Sequence, residues 1–284
     1  MTQNISMIRK LGAGVLGVAL GVWACQAQAQ VGADLNISPK RVVFDEGERS
    51  ATVYVFNQGD TPATYTVEMV DRIMLPDGRI AAVSEQPGAK ISSATPFVQY
   101  TPRRVTLGPK ESQSIRVRVR VPDVNGEYRT HLTVTALPPE NVGFTASQAV
   151  TPGAEDVALQ VVALFSVSIP VIVRQGDVDA RASIESPKPV PVQEGLPNGG
   201  LSVDLVRLGA SSVYGDVEIR AGQGKDERVL AAVRGVAVYA ELPRRTVIVP
   251  LAAPLKRGEA LRIVYRDDDT RPGTELAAAS FVAP

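Results

Sequence analysis

Residues 157–173 read VALQVVALFSVSIPVIV, and every odd position is apolar: Val157, Leu159, Val161, Ala163, Phe165, Val167, Ile169, Val171 and Val173. A period of two sustained over that length is the pattern of a β-strand with one apolar face. The run is about three times as long as an ordinary strand of roughly five or six residues. A strand that outruns its own sheet ends as an exposed apolar edge, which folded chains otherwise avoid. The first part of the run is therefore expected to be lent to another protein. Val167, Ile169, Val171 and Val173 are expected to fill the chain's own core.

The N-terminus carries a different signal. Arg9 and Lys10 precede an uncharged run over residues 11–24, followed by Ala27-Gln28-Ala29, a small-x-small cleavage pattern. The run falls short of the ~20 apolar residues that span a bilayer. Residues 1–29 are thus expected to be a removed signal peptide, leaving a mature chain in the periplasm of a bacterium with two membranes and no membrane insertion. Trp23 sits badly in a lipobox around Cys25, so lipidation there is not expected. Cys25 is the only cysteine, which leaves the mature chain without a disulfide. The 30 Lys and Arg balance 30 Asp and Glu, so no long-range field draws in nucleic acid or an anionic membrane.

Glycine and proline are frequent, β-branched residues abundant, and no long stretch carries the three-four spacing of an amphipathic helix. The expected class is all-β: two sandwich domains, residues 30–174 and 175–284. In the first, strands are expected over residues 34–44, 50–57, 63–71, 105–107, 112–121 and 127–137. Turn signals separate them at Asp45-Glu46-Gly47-Glu48, Gln58-Gly59-Asp60, Pro76-Asp77-Gly78 and Gly108-Pro109-Lys110. In the 112–121 strand, Ile115, Val117, Val119 and Val121 alternate with Arg116, Arg118 and Arg120. Those arginines read as the solvated face of a half-buried strand. Residues 138–156, rich in Pro, Gly, Ser and Ala, are too long for a hairpin loop and are expected to be ordered by a partner. The second domain is expected to hold strands at 201–208, 212–221, 229–238, 245–250, 260–265 and 277–282. The Pro187-Lys188-Pro189-Val190-Pro191 run suits an extended edge.

Catalytic chemistry is scarce. His131 is the only histidine and lies in a strand, so no Ser-His-Asp or Cys-His arrangement is possible beyond this one residue, which reads as a strand residue with no catalytic task, and no zinc cluster has its ligands. Asp267-Asp268-Asp269 lacks the spaced donors and glycine of a calcium loop, and no phosphate-binding glycine loop occurs. The chain is expected not to be an enzyme and to need no cofactor or metal.

The order of features carries a resemblance. After the signal peptide come Arg41-Val42-Val43-Phe44 with its acidic turn, Val53-Tyr54-Val55-Phe56-Asn57, and Leu107-Gly108-Pro109 leading to Ser114-Ile115-Arg116-Val117. A strand then opens at Glu127 and ends in Leu137-Pro138-Pro139, a long loop follows, and the alternating strand closes at Arg174. This resembles the periplasmic chaperones of chaperone-usher pilus assembly, in a divergent, disulfide-free branch. The resemblance implies two immunoglobulin-like domains set in a boomerang. It also implies that pilus or fimbrial subunits are held by donor-strand complementation and delivered to an outer-membrane usher.

On that resemblance Val157, Leu159, Val161, Ala163 and Phe165 would be the donor residues. The family anchors the subunit's terminal carboxylate with an arginine on the first strand and a lysine on the long one. The arginine matches Arg41, while the lysine falls on Pro170, with Arg129 and Lys40 as substitutes. An interdomain charge triad would comprise Glu127, Arg174 and Asp267. An exposed apolar strand also suits self-capping as a homodimer.

Two other functions compete. A pilus subunit or adhesin, as an exported two-domain structural protein, should lack a strand and carry its own N-terminal donor segment, yet little precedes Asp34. An exported enzyme or sugar-binding module should cluster aromatics, yet the one Trp lies in the signal and aromatic residues are 5% of the chain.

Overall fold

The computed structural model describes residues 34–86, 88–138, 164–222 and 227–284. The signal-peptide segment and Val157, Leu159, Val161 and Ala163 of the expected donor strand lie outside these residues.

The chain forms two antiparallel-rich β-sandwiches in succession. Strands of the first are β1 (Leu35–Ser38), β2 (Val42–Phe44), β3 (Ser50–Asn57), β4 (Ala63–Val70), β5 (Arg72–Met74) and β6 (Ile80–Ala82). They continue with β7 (Val98–Thr101), β8 (Arg104–Leu107), β9 (Ser112–Val119), β10 (Gly126–Ala136) and β11 (Ser166–Gln175). One sheet runs β1-β3-β9-β7 and the other β2-β11-β10-β4-β8, with β5 and β6 as a separate hairpin. Alternation supplies the core: Val53, Val55, Ile115, Val117, Leu132, Val134, Ile169, Val171 and Val173 all turn inward and are buried. Val167 is partly buried against them, so the second half of the long apolar run belongs to the chain's own interior.

The expected strand over residues 34–44 is divided. Pro39 has no N–H to give a ladder, and the chain crosses there from β1 in one sheet to β2 in the other. β2 then pairs with β11 in parallel, Val42 to Val171, Val43 to Ile172 and Phe44 to Val173.

The second sandwich comprises β12 (Ala182–Val190), β13 (Gly200–Arg207), β14 (Val213–Ala221), β15 (Arg228–Val238), β16 (Arg244–Pro250), β17 (Ala260–Asp267) and β18 (Glu275–Val282). Its sheets run β12-β13-β16 and β15-β14-β17-β18. Leu201, Val203, Leu205, Val217, Ile219, Val249 and Ile263 fill the core, and the buried Tyr265 hydroxyl donates to the Val236 carbonyl at 2.8 Å. The proline run lies in β12, an edge strand with a bulge between Glu185 and Lys188, where a missing N–H costs no ladder bond.

A small apolar cluster of Met74, Ile172, Ala237 and Tyr239 joins the two sandwiches. Met74 comes from the β5–β6 hairpin, whose Pro76-Asp77-Gly78 turn was legible but whose flanking strands were too short to carry a periodic signal.

Candidate functional site

β11 is covered unequally. On one side β10 pairs with it along its whole length, from Glu127 opposite Arg174 to Thr135 opposite Ser166. On the other side β2 covers only Val171–Val173. Among the described residues no strand pairs with Ser166–Pro170 on that side, so the backbone there forms an open edge. The ladder to β10 extends one step further, since the Ala136 N–H donates to the Phe165 carbonyl at 2.8 Å. Leu164 and Phe165 nevertheless expose 58% and 37% of their surface. Of the expected donor residues, Phe165 is the one described, and it stands at this open end.

At the other end of β11, Arg174 is buried at the junction of the two sandwiches. Its Nε donates to Glu127 Oε2 at 3.0 Å, its Nη2 to Asp269 Oδ2 at 2.6 Å and its Nη1 to Asp45 Oδ1 at 3.3 Å. Burial works against the charge, but Glu127 and Asp269 outweigh it and raise the guanidinium pKa above the ordinary arginine value. Glu127 also accepts bonds from the Ser212 backbone N–H at 3.2 Å and from the Ser212 hydroxyl. The junction is therefore held by charge-assisted bonds from both domains.

Asp267, expected as the third member of the charge triad, does not reach Arg174; Asp269 takes that position. The Asp267 carboxylate is turned back into its own loop. There it accepts bonds from the Thr270 hydroxyl at 2.7 Å and from the backbone N–H groups of Asp269, Thr270 and Arg271. Burial opposes its ionisation, yet these donors hold the carboxyl below the usual carboxylate range. Asp267 thus shapes the turn that presents Asp269.

Arg41 immediately precedes β2. Its Nη2 donates to Asp269 Oδ2 at 2.7 Å, and its guanidinium lies over the Tyr214 ring at 4.5 Å. Its Nε and Nη1 are buried and have no acceptor. Arg129 is differently placed. Its Nη2 donates to Glu241 and to the Arg72 carbonyl at 3.0 Å, and it stacks over Tyr239 at 4.0 Å. Glu241 in turn accepts the Met74 N–H at 2.9 Å. Both anchor candidates are thus paired with a carboxylate of the second sandwich, and Arg41, one residue before β2, is the one that adjoins the open edge. Pro170, where the family's lysine would stand, lies opposite His131.

His131 is 2% exposed and is pushed down to about 3, by burial first and then by Arg129 and Arg72. Its unfolded value is 6.5. Because the folded value is the lower one, the unfolded chain takes up the proton first. His131 therefore favours the fold fully above pH 6.5, and this advantage is lost as pH falls towards 3. Between pH 6.5 and 4.5 the loss is about 2–3 kcal/mol. His131→Gln is expected to flatten that part of the profile in urea unfolding followed across pH. An unchanged slope would place the histidine in a solvated site.

Residues 34–174 match the sequence model of the pili and flagellar-assembly chaperones, PapD N-terminal domain. The chain belongs to this chaperone family. No curated protein matches the sequence. Solved structures to which the chain shows similarity include the Pseudomonas aeruginosa CupB2 chaperone, at 16% identity over 88% of this chain and 100% of that one, TM-score 0.42. The YadV chaperone is 12% identical over 88% and 99%, TM-score 0.44. The CsuC–CsuE chaperone-tip adhesion subunit pre-assembly complex from archaic chaperone-usher Csu pili of Acinetobacter baumannii includes a chain 14% identical over 88% and 98%, TM-score 0.42. The fold is all-β, two sandwiches in succession, and the first of them is the part that the family model matches. Among the described residues no helix is long and apolar enough to cross a membrane.

Tyr214, Tyr239 and Glu241 complete the junction and carried no motif in the sequence, while Asp269 lay in the acidic run whose first member was expected in its place.

Proposed function

We propose that the chaperone acts in the periplasm, where it holds pilus subunits by adding the N-terminal part of its long alternating strand to their unfinished sandwich and hands them to an outer-membrane usher. The observation that carries this is the half-covered edge of β11: β2 shields only Val171–Val173, and the strand continues past it as an unpaired edge bearing Phe165. Backbone pairing along such an edge supplies affinity, and alternate side chains supply fit.

The direction of the visiting strand follows from Arg41. Val42 stands beside Val171, so a strand laid on residues 165–169 ends against Arg41. Unsatisfied guanidinium donors there favour a carboxylate. A strand parallel to β11 brings its C-terminal carboxylate to that point, whereas an antiparallel one would bring a cationic amine. Arg41 is accordingly the anchor, and Arg129 belongs to the clamp between domains.

Amide exchange tests the reading. The backbone N–H groups of residues 157–169 are expected to exchange more slowly by about tenfold or more in a one-to-one complex with a subunit than in the free chaperone. Equal protection in the two states would remove strand donation.

A further inference from the structure

The outward face of the β1-β3-β9-β7 sheet has a composition that the strand-donation reading leaves unused. Arg116 and Arg118 stand between Thr52 and Ser50 of β3 on one side and Thr101 and Gln99 of β7 on the other. None of the four strands contains an aspartate or glutamate. Two adjoining grooves of about 350 and 450 Å³ run over this face. They share Gln99 and Arg118, and between them they reach Arg116, Arg120 and Arg49. Among the described residues none of these four arginines has a carboxylate partner; Arg49 donates only to the Glu48 carbonyl.

The second sandwich supplies the comparison within the same molecule. On β14, β15 and β17 every arginine is paired: Arg220 with Glu218 and Glu227, Arg228 with Glu259, Arg234 with Asp216, Arg262 with Glu275, and Arg266 with Glu218. The solvated face of that sheet is thus neutralised by its own acids. The β9 face is not, although the chain as a whole has zero formal net charge.

We propose that this face docks an extended acidic segment of a partner protein. Alternate residues of a strand lie about 6.5–7 Å apart. Arg116, Arg118 and Arg120 therefore match an extended chain bearing a carboxylate at every second position. The face is grooved rather than convex, and β7 ends the sheet with an unpaired edge beside the groove, which suits a polypeptide and not a bilayer.

The test uses the exported chain at low ionic strength, with a fluorescein-labelled peptide of alternating Glu and Thr as probe. The controls are the Lys–Thr peptide and phosphatidylglycerol vesicles. The Glu–Thr peptide is expected to bind. Arg116→Ser, Arg118→Ser and Arg120→Ser together should weaken it about tenfold or more with the thermal midpoint unchanged, while the three Arg→Lys changes should retain most of the affinity. If the serine variant unfolds, Arg118→Glu alone gives the same reading. The proposal is overturned if the wild-type chain ignores the Glu–Thr peptide, if the serine variant or Arg118→Glu binds it equally, if the Lys–Thr peptide binds as well, or if the vesicles are bound and the peptide is not.

Discussion

Replacing Leu159 and Val161 together with aspartate is expected to abolish capture of a pilus subunit while leaving the chaperone folded. Each large apolar side chain buried in a partner contributes about 1.5–3 kcal/mol. Loss of two therefore removes about 3–6 kcal/mol, or roughly 10²–10⁴ in affinity, and burying two carboxylates without partners adds to it. Among the described residues the chaperone's own core draws on Ile169, Val171 and Val173 further along the strand. Titration calorimetry with a refolded subunit, or competition by its own donor peptide, would measure the change. Subunit binding within about twofold of wild type, with a normal unfolding midpoint, would end the strand-donation reading.

Arg174→Ala is expected to destabilise the fold by about 3–5 kcal/mol, near the lower end of that range. Glu127 and Asp269 would remain buried at 2% and 10% side-chain exposure with one partner fewer each. Ser212 still serves Glu127 and Arg41 still serves Asp269, which limits the cost. Urea unfolding near pH 7 measures the change, and scattering from the folded variant reports whether the two sandwiches keep their mutual angle. A loss under about 1 kcal/mol is what an exposed pair would give and would contradict the geometry. Asp267→Ala should produce a milder form of the same defect, since it loosens the loop that presents Asp269.

The elements that strict alternation marks were legible from the amino-acid order. Ser50–Asn57 was bounded correctly because Val53 and Val55 alternate with polar neighbours between two turn signals. The proline run announced an edge for the same physical reason that β12 occupies one: no ladder partner waits for the missing N–H. Shorter pieces were not legible. β5, β6 and β7 have three or four residues each, too few for a period to register.

At the site, Glu127 and Arg174 were paired through the family resemblance, and they face one another across β10 and β11. The third acid was misassigned by two residues. Within Asp267-Asp268-Asp269 the sequence offers three equivalent carboxylates, and only the fold of the turn decides which one points out of it. Glu241, Tyr214 and Tyr239 come from distant stretches with no shared pattern and meet the arginines only once both sandwiches are formed.

The brevity of β2 has a mechanical consequence. Its three residues act as a doorstop on the rim of the sheet: whatever slides along β11 from the open end must halt where Val42 begins. On the strand-donation reading a visitor would thereby be measured as well as held. A segment one residue too long would then drive its terminus into Arg41, and one too short would leave the Nε and Nη1 of that guanidinium without an acceptor.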